Sequence, residues 1–256
     1  MEYNPIELMA CVASRILRRA RSVFVGTGLP MIAAVLAQRL HAPDLLIVFE
    51  GGGIGPQVPT VPISVGDSRT FHRAVMATSM DYVMSIAQLG FVEYGFLGAA
   101  QIDPYGNLNT TVIGPYHQPR VRLPGSGGGN DVGSLCWRTI ILMRHERRRF
   151  VEKLDFITTP GYLTGPGARE RTGLPAETGP YRVITQLAVL GFDEETKRME
   201  LLSVHPGVSV EDVIENTGFE LIIPREVSTT EPPTKEELRL LREEIDPAGI
   251  VIGKAS

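Results

Sequence analysis

Residues 22 to 49 constrain the fold more tightly than any other stretch of the chain. SVFV (22–25) is an apolar run that enters a glycine turn at Gly26, Thr27 and Gly28. PMIAAVLAQRL (30–40) then has helical spacing with Pro30 at its start, and LLIVF (45–49) is a second apolar run. A strand, a tight turn, a helix and a second strand at this spacing form a right-handed βαβ unit. Such a unit lays two strands parallel, and a parallel sheet has to be covered on both faces. The expected class is α/β, with an open, mostly parallel sheet covered by helices.

The alternation extends in both directions. Upstream, Asn4 can cap a helix that has Pro5 in its first turn and Ile6, Met9, Val12 and Ile16 near helical spacing. Downstream, a helix is predicted in the region of Ser68 to Leu89 and a strand over Phe91 to Leu97. QIDPYGNLN (101–109) reads as a turn at Asp103 to Gly106 between two extended arms. Further strands are predicted at Thr139 to Met143, Lys153 to Ile157, Tyr181 to Val189 and Met199 to Val204, with DEET (193–196) as a turn. Two helices close the chain: one runs from a Ser209 cap to Gly218, and one starts at Thr234, which forms a capping box with Glu237, and stops before Pro247. No repeat or low-complexity linker interrupts residues 1–256, so a single domain is expected. The Gly/Pro-rich span 160–180 is too long for an ordinary connection and reads as a functional or interface loop.

Composition excludes several function classes. At 43% hydrophobic residues the chain can fill a sizeable core. Its longest apolar stretch, around Ser22 to Ala37, is interrupted by Gly26, Thr27, Gly28 and Pro30, so no membrane span is expected. MEYNPIELMA lacks the basic and apolar regions of a secretory leader, and a cytoplasmic location is expected. Cys11 and Cys136 are far apart, without C-x-x-C spacing, and read as packed free thiols rather than a disulfide or zinc cluster. A net charge of −4 offers no broad footprint for nucleic acid. The local run HERRR (145–149) could touch phosphate, but an exposed charged segment after a strand is the simpler reading.

The second apolar run ends on a carboxylate, Glu50, followed by Gly51, Gly52 and Gly53. GTGLPM (26–31) begins like a dinucleotide fingerprint, and an acidic residue at the end of the second strand is where a ribose-binding carboxylate belongs. The third glycine is replaced by Met31, however, and Pro30 removes an amide donor. Glu50 then reads as a carboxylate facing the crevice at the carboxyl end of a parallel strand, with glycines leaving room for a bulky reactant. A carboxylate is a weak nucleophile that needs an activated acyl partner such as a thioester. The plainer alternative is that Glu50 caps the strand or pairs with an arginine. A second cluster, GSGGGND (125–131), can present amides to a carboxylate or oxyanion, or can be a flexible surface loop. His145 and Glu146 begin an H-E-x-x-H pattern that fails at Arg149, and no metal site is expected.

VGTGLP (25–30), APDLLIVFEGG (42–52), GAAQIDPYGNLNTT (98–111), PGSGGGND (124–131), RHERRRFVEKLDFITTPG (144–161), GPGARERTGLP (165–175) and ENTGFEL (215–221) occur in this order. Together they resemble the B subunits of the glutaconate CoA-transferase family, class I CoA-transferases. The resemblance covers nearly the whole chain. It implies a CoA-transferase fold, a homologous A subunit in a hetero-oligomer, and a cytoplasmic acyl-CoA reaction without metal or redox cofactor, the coenzyme A thioester being the substrate. It also implies that Glu50 is the residue that becomes covalently modified. Candidate substrate- and CoA-binding positions are Gly26, Gly28, Gly51, Gly52, Gln101, Asn107, Ser126, Gly127, Gly128 and Gly129. This chain has E-G-G where the family usually has E-S-G or E-N-G, so the acid it uses does not follow from the family name.

Two other functions fit parts of the same sequence. One is an acyl-CoA or ring-cleaving hydrolase on this scaffold, with Glu50 as general base toward water. The other is a noncatalytic ligand-sensing module related to sugar-phosphate-binding folds, against which the retained Glu50 weighs.

Overall fold

The computed structural model describes residues 2–253, which divide into two compact units: residues 2–96 with 232–253, and Leu97–Glu231. The first unit opens with α1 (Pro5–Ile16), held at its start by a reciprocal box in which Asn4 accepts from the Glu7 amide and Glu7 accepts from the Asn4 amide. Then follow β1 (Ser22–Val25), α2 (Leu29–Leu40), β2 (Leu46–Phe49), β3 (Gly53–Ile54), β4 (Met76–Ala77), α3 (Met80–Gln88) and β5 (Tyr94–Leu97). The sheet order is β5-β1-β2-β3-β4. β1 runs parallel to both its neighbours, as the βαβ pattern requires, while β3 and β4 add an antiparallel edge.

The chain's C-terminal helix (Lys235–Arg239, with the expected Thr234–Glu237 box) continues as a π-helical turn, Leu240–Ile245. It closes on α1 through two ion pairs of 2.6 Å, Arg15 with Glu237 and Arg242 with Glu7. Both carboxylates are almost fully buried. Removing one partner of such a pair leaves an uncompensated charge, so these contacts fasten the two ends of the chain together.

The second unit begins with two hairpins, β6 (Gln101–Ile102) with β7 (Leu108–Asn109) and β8 (Val112–Ile113) with β9 (Val121–Arg122). It continues through α4 (Gly129–Leu135), β10 (Arg138–Leu142), α5 (Ala168–Arg171), β11 (Gly179–Ile184), β12 (Ala188–Phe192), β13 (Met199–Val204), α6 (Val210–Glu215) and β14 (Ser228–Thr229). Its sheet order is β10-β11-β12-β13-β14, with parallel pairs at β10-β11 and β13-β14 and antiparallel pairs between. The strand order does not close into a barrel, and the class is the open α/β arrangement expected.

Three predicted elements differ. The region 68–89 is helical only from Met80; its first part is a 3₁₀ turn and the short edge strand β4, because its backbone is drawn against the glycines after Glu50. Residues 153–157 form no strand. Their neighbours Val151 and Thr159 make single bridges, and Asp155 accepts from the Gly114 amide. The run 181–189 is a hairpin rather than one strand, since the Thr185 hydroxyl accepts from the amides of Leu187 and Ala188 and turns the chain.

Candidate active site

In the first unit, β1 and β2 are in register up to Val25 and Phe49, so Gly26 and Glu50 are the next residues of neighbouring parallel strands. Both sit at carboxyl ends. The connection from β1 to β2 leaves on one side and β5 joins β1 on the other, which makes the carboxyl end of β1 a topological switch point, where open α/β sheets bind ligands. Glu50 is half-buried and, among the described residues, has neither an ion pair nor a hydrogen bond for its carboxylate. The arginine-paired alternative is therefore not realised.

The glycine turn beside it is open. A side chain at Gly26 or Gly28 would meet no atom within 4 Å, and Gly28 at φ +80° stands directly before α2 with its carbonyl accepting from Ile32. The triplet after Glu50 is the opposite case. A Cβ on Gly51 would lie 2.5 Å from the Val65 carbonyl oxygen, and Cβ atoms on Gly52 and Gly53 would collide with the carbonyls of Thr78 and Thr70. Gly52 also has φ +111° and accepts from the Thr78 amide. The space expected for a reactant at these glycines is filled by the backbone of residues 65–78. They are glycines because main chain packs on main chain there.

The remaining candidates belong to the second unit. Gly125 and Gly127 have φ of +96° and +50° with no atom within 4 Å of a Cβ position, so the loop presents open space. Ser126 organises its far side, its hydroxyl accepting from Asn130 and its carbonyl from Gly129. Gly128 stands immediately before α4, and Gly129 begins it. Gln101 and Asn107 are buried. Gln101 accepts from the Asn109 amide group. Asn107 donates to Asp103 and to the Leu163 carbonyl and accepts from the amides of Gly161 and Leu163. Its amide is fully engaged in joining the 103–107 turn to residues 161–163. Burial pushes the Asp103 carboxyl up to about 6, against the three hydrogen bonds it accepts from Asn107 and Tyr105.

His145 is not part of an exposed charged segment. It is buried, stacked on Phe150 at 3.9 Å, and bonded to the hydroxyls of Thr185 and Thr217. Burial pushes its pKa down to about 4. Glu146 takes Arg148 and Arg149 as ion-pair partners. Cys11 and Cys136 are buried free thiols, and burial pushes Cys136 up to about 12. Among the described residues no group of three His, Cys, Asp or Glu side chains could hold a metal, and no helix is long and apolar enough to cross a membrane.

Sequence reasoning missed Arg169. It lies in the Gly/Pro-rich span, is 1% exposed and, among the described residues, has no carboxylate ion-pair partner. It also borders a cavity of about 720 Å³ with Tyr162, Arg182, Lys197 and Glu200, lined in large part by the Gly/Pro-rich span 160–180 and by none of the individual candidate binding residues. Nothing local in GPGARERTGLP distinguishes a buried arginine from its exposed neighbour Arg171.

Residues 6–216 match the family model described as Coenzyme A transferase. The chain is 44% identical to the B subunit of glutaconate CoA-transferase from Acidaminococcus fermentans, over 96% of this chain and 93% of that one. It is 38% identical to the B subunit of 3-oxoadipate CoA-transferase from Pseudomonas knackmussii, over 94% and 92%. The crystal structure of the Acidaminococcus fermentans glutaconate coenzyme A-transferase superposes with a TM-score of 0.94 at 41% identity, covering 99% of each chain. With an open α/β fold and an unpartnered glutamate at a parallel strand end, the chain belongs to the coenzyme A transferase family.

Proposed function

We propose that this chain is the B subunit of a cytoplasmic CoA-transferase that works with a homologous A subunit and moves CoA between an acyl-CoA and a short dicarboxylic acid. The relatives' substrates, glutaconate and 3-oxoadipate, are both dicarboxylates, which supports that class. The observation that carries the reading is the free carboxylate of Glu50 at the carboxyl end of β2.

The Glu50 carboxylate attacks the acyl carbonyl of the donor thioester, and the C–S bond breaks as CoA leaves as thiolate. The resulting mixed anhydride is attacked at its glutamyl carbonyl by that thiolate. The donor acid departs as carboxylate and glutamyl-CoA remains. An acceptor carboxylate reverses the sequence and leaves as the new thioester, so no net proton, electron or metal is required. Gly26 and Gly28 leave the strand end accessible, and Gly127 and Gly128 supply amide donors to a carboxylate or oxyanion of the reactants. Gln101 and Asn107 act as buried supports within the second unit, Gln101 holding Asn109 and Asn107 holding residues 161–163.

The test is to incubate the assembled enzyme with an acyl-CoA and no acceptor. CoA should become attached at Glu50, reducible by borohydride and convertible to a hydroxamate by hydroxylamine, and Glu50→Gln should abolish labelling and transfer together. Fast thioester hydrolysis without any adduct would instead identify Glu50 as a general base toward water.

A further inference from the structure

We infer that Arg169 is a positioning residue that holds the 125–129 glycine loop in place for the transfer reaction, an inference that rests on the CoA-transfer reading above. Its guanidinium donates to four acceptors on three segments of the chain. One nitrogen reaches the carbonyls of Pro160 (3.1 Å) and Gly161 (2.9 Å); the other reaches the Gly133 carbonyl (3.1 Å) and the Thr178 hydroxyl (3.0 Å). Gly133 belongs to α4, the helix that follows the glycine loop. One side chain thus binds that helix to residues 160–161 and to Thr178, the residue before β11.

The same backbone is gripped from its other side. The Asn107 side chain accepts from the Gly161 amide, and Asn130 at the start of α4 donates to the Thr158 carbonyl. Contact is so close that a Cβ on Gly133 would collide with Thr159, and one on Gly161 with the main chain of Tyr105–Asn107. The loop itself is held at its two ends, by Thr110 at Gly125 and by the bonds of Ser126 to Gly129 and Asn130 of α4. Gly125 and Gly127 face open space in left-handed conformations, the Thr110 hydroxyl holding the Gly125 carbonyl and the Thr110 carbonyl its amide. Its shape is therefore set in part from behind, through α4.

A purely space-filling role suits an apolar side chain better. A buried guanidinium without a carboxylate is costly, and the Arg169 Nε has no hydrogen-bond partner at all. What an apolar residue could not do is satisfy three carbonyls from two segments at once with a planar fork.

The experiment uses the complex assembled with the A subunit and compares Arg169→Lys and Arg169→Gly with wild type. Lysine keeps the charge but loses the fork, and glycine leaves a guanidinium-sized space. Both variants should assemble, keep KM for acyl-CoA, lose about 10²-fold in kcat and label Glu50 correspondingly slowly. Added guanidinium ion should recover part of the kcat of Arg169→Gly, and urea should not. Wild-type turnover in Arg169→Lys, a change confined to KM, or no recovery with guanidinium would each overturn the inference. So would failure of both variants to assemble, which would assign Arg169 to folding alone. If wild type itself forms no Glu50 adduct, the CoA-transfer reading fails; if wild type and variants label equally fast, only the role of Arg169 does.

Discussion

Gly52 illustrates how single residues around Glu50 are constrained. Alanine there meets both a left-handed φ and the Thr78 carbonyl, so Gly52→Ala should destabilise the protein by more than about 1 kcal/mol, visible as a lower urea midpoint. Gly127 differs, because a side chain there would meet no atom within 4 Å. Gly127→Val and Gly128→Val should each lower turnover of the assembled enzyme by roughly 10² to 10³, with Gly127→Val also costing about 1 kcal/mol or more in stability because its φ of +50° strains a branched side chain; unchanged turnover in both would make the cluster an ordinary surface loop. His145 supplies a pH test. Its pKa falls from the ordinary 6.5 to about 4 on folding, so between these values the unfolded chain binds the extra proton. Stability is then fully present above about pH 6.5 and is lost as pH falls toward 4, by about 3 kcal/mol. Asp103, raised to about 6, works in the opposite sense: its contribution is fully present below about pH 3.8 and is lost as pH rises through 6. Urea titrations of wild type and His145→Asn across pH 4–7 isolate the histidine, whose removal should flatten the acid-side slope.

Elements with a local cause were legible in the sequence. The Asn4, Ser209 and Thr234 caps each form the reciprocal box that their Glu7, Asp212 and Glu237 partners permit. The βαβ unit follows from apolar runs separated by a glycine turn and a helix. What was not legible depends on partners distant in sequence. Residues 68–79 follow the glycines at 51–53 instead of continuing a helix, and the hairpin at 185–187 turns on a threonine hydroxyl with no glycine or proline to mark it. Glu50 was recognisable from its position at a strand end, but the use of its glycines was not, because the atoms that fill their space come from elsewhere. Element boundaries also predict energetics. Glu237→Ala removes both the Thr234 box and the Arg15 ion pair and leaves Arg15 without that charge, so it should cost about 3 to 5 kcal/mol in denaturant unfolding.

At the scale of the whole molecule, the first unit presents large apolar side chains to solvent, including Ile63, Val75, Met80, Leu89 and Phe91. Where such side chains join into a contiguous patch they mark an interaction site. The chain purified alone should be poorly active, and adding the A subunit should restore transfer and give a complex burying more than about 2,000 Å² by size and scattering measurements; full activity as a monomer would contradict the two-subunit reading. The packing of residues 65–78 on Gly51–Gly53 has a consequence for exchanging parts among relatives. A serine or asparagine at position 51 cannot share its place with the Val65 carbonyl where it now stands. The turn after Glu50 and the segment 64–79 therefore form one transplantable module: a chimera that imports E-S-G alone inherits a collision, whereas one that imports both segments from the same donor keeps its backbones matched.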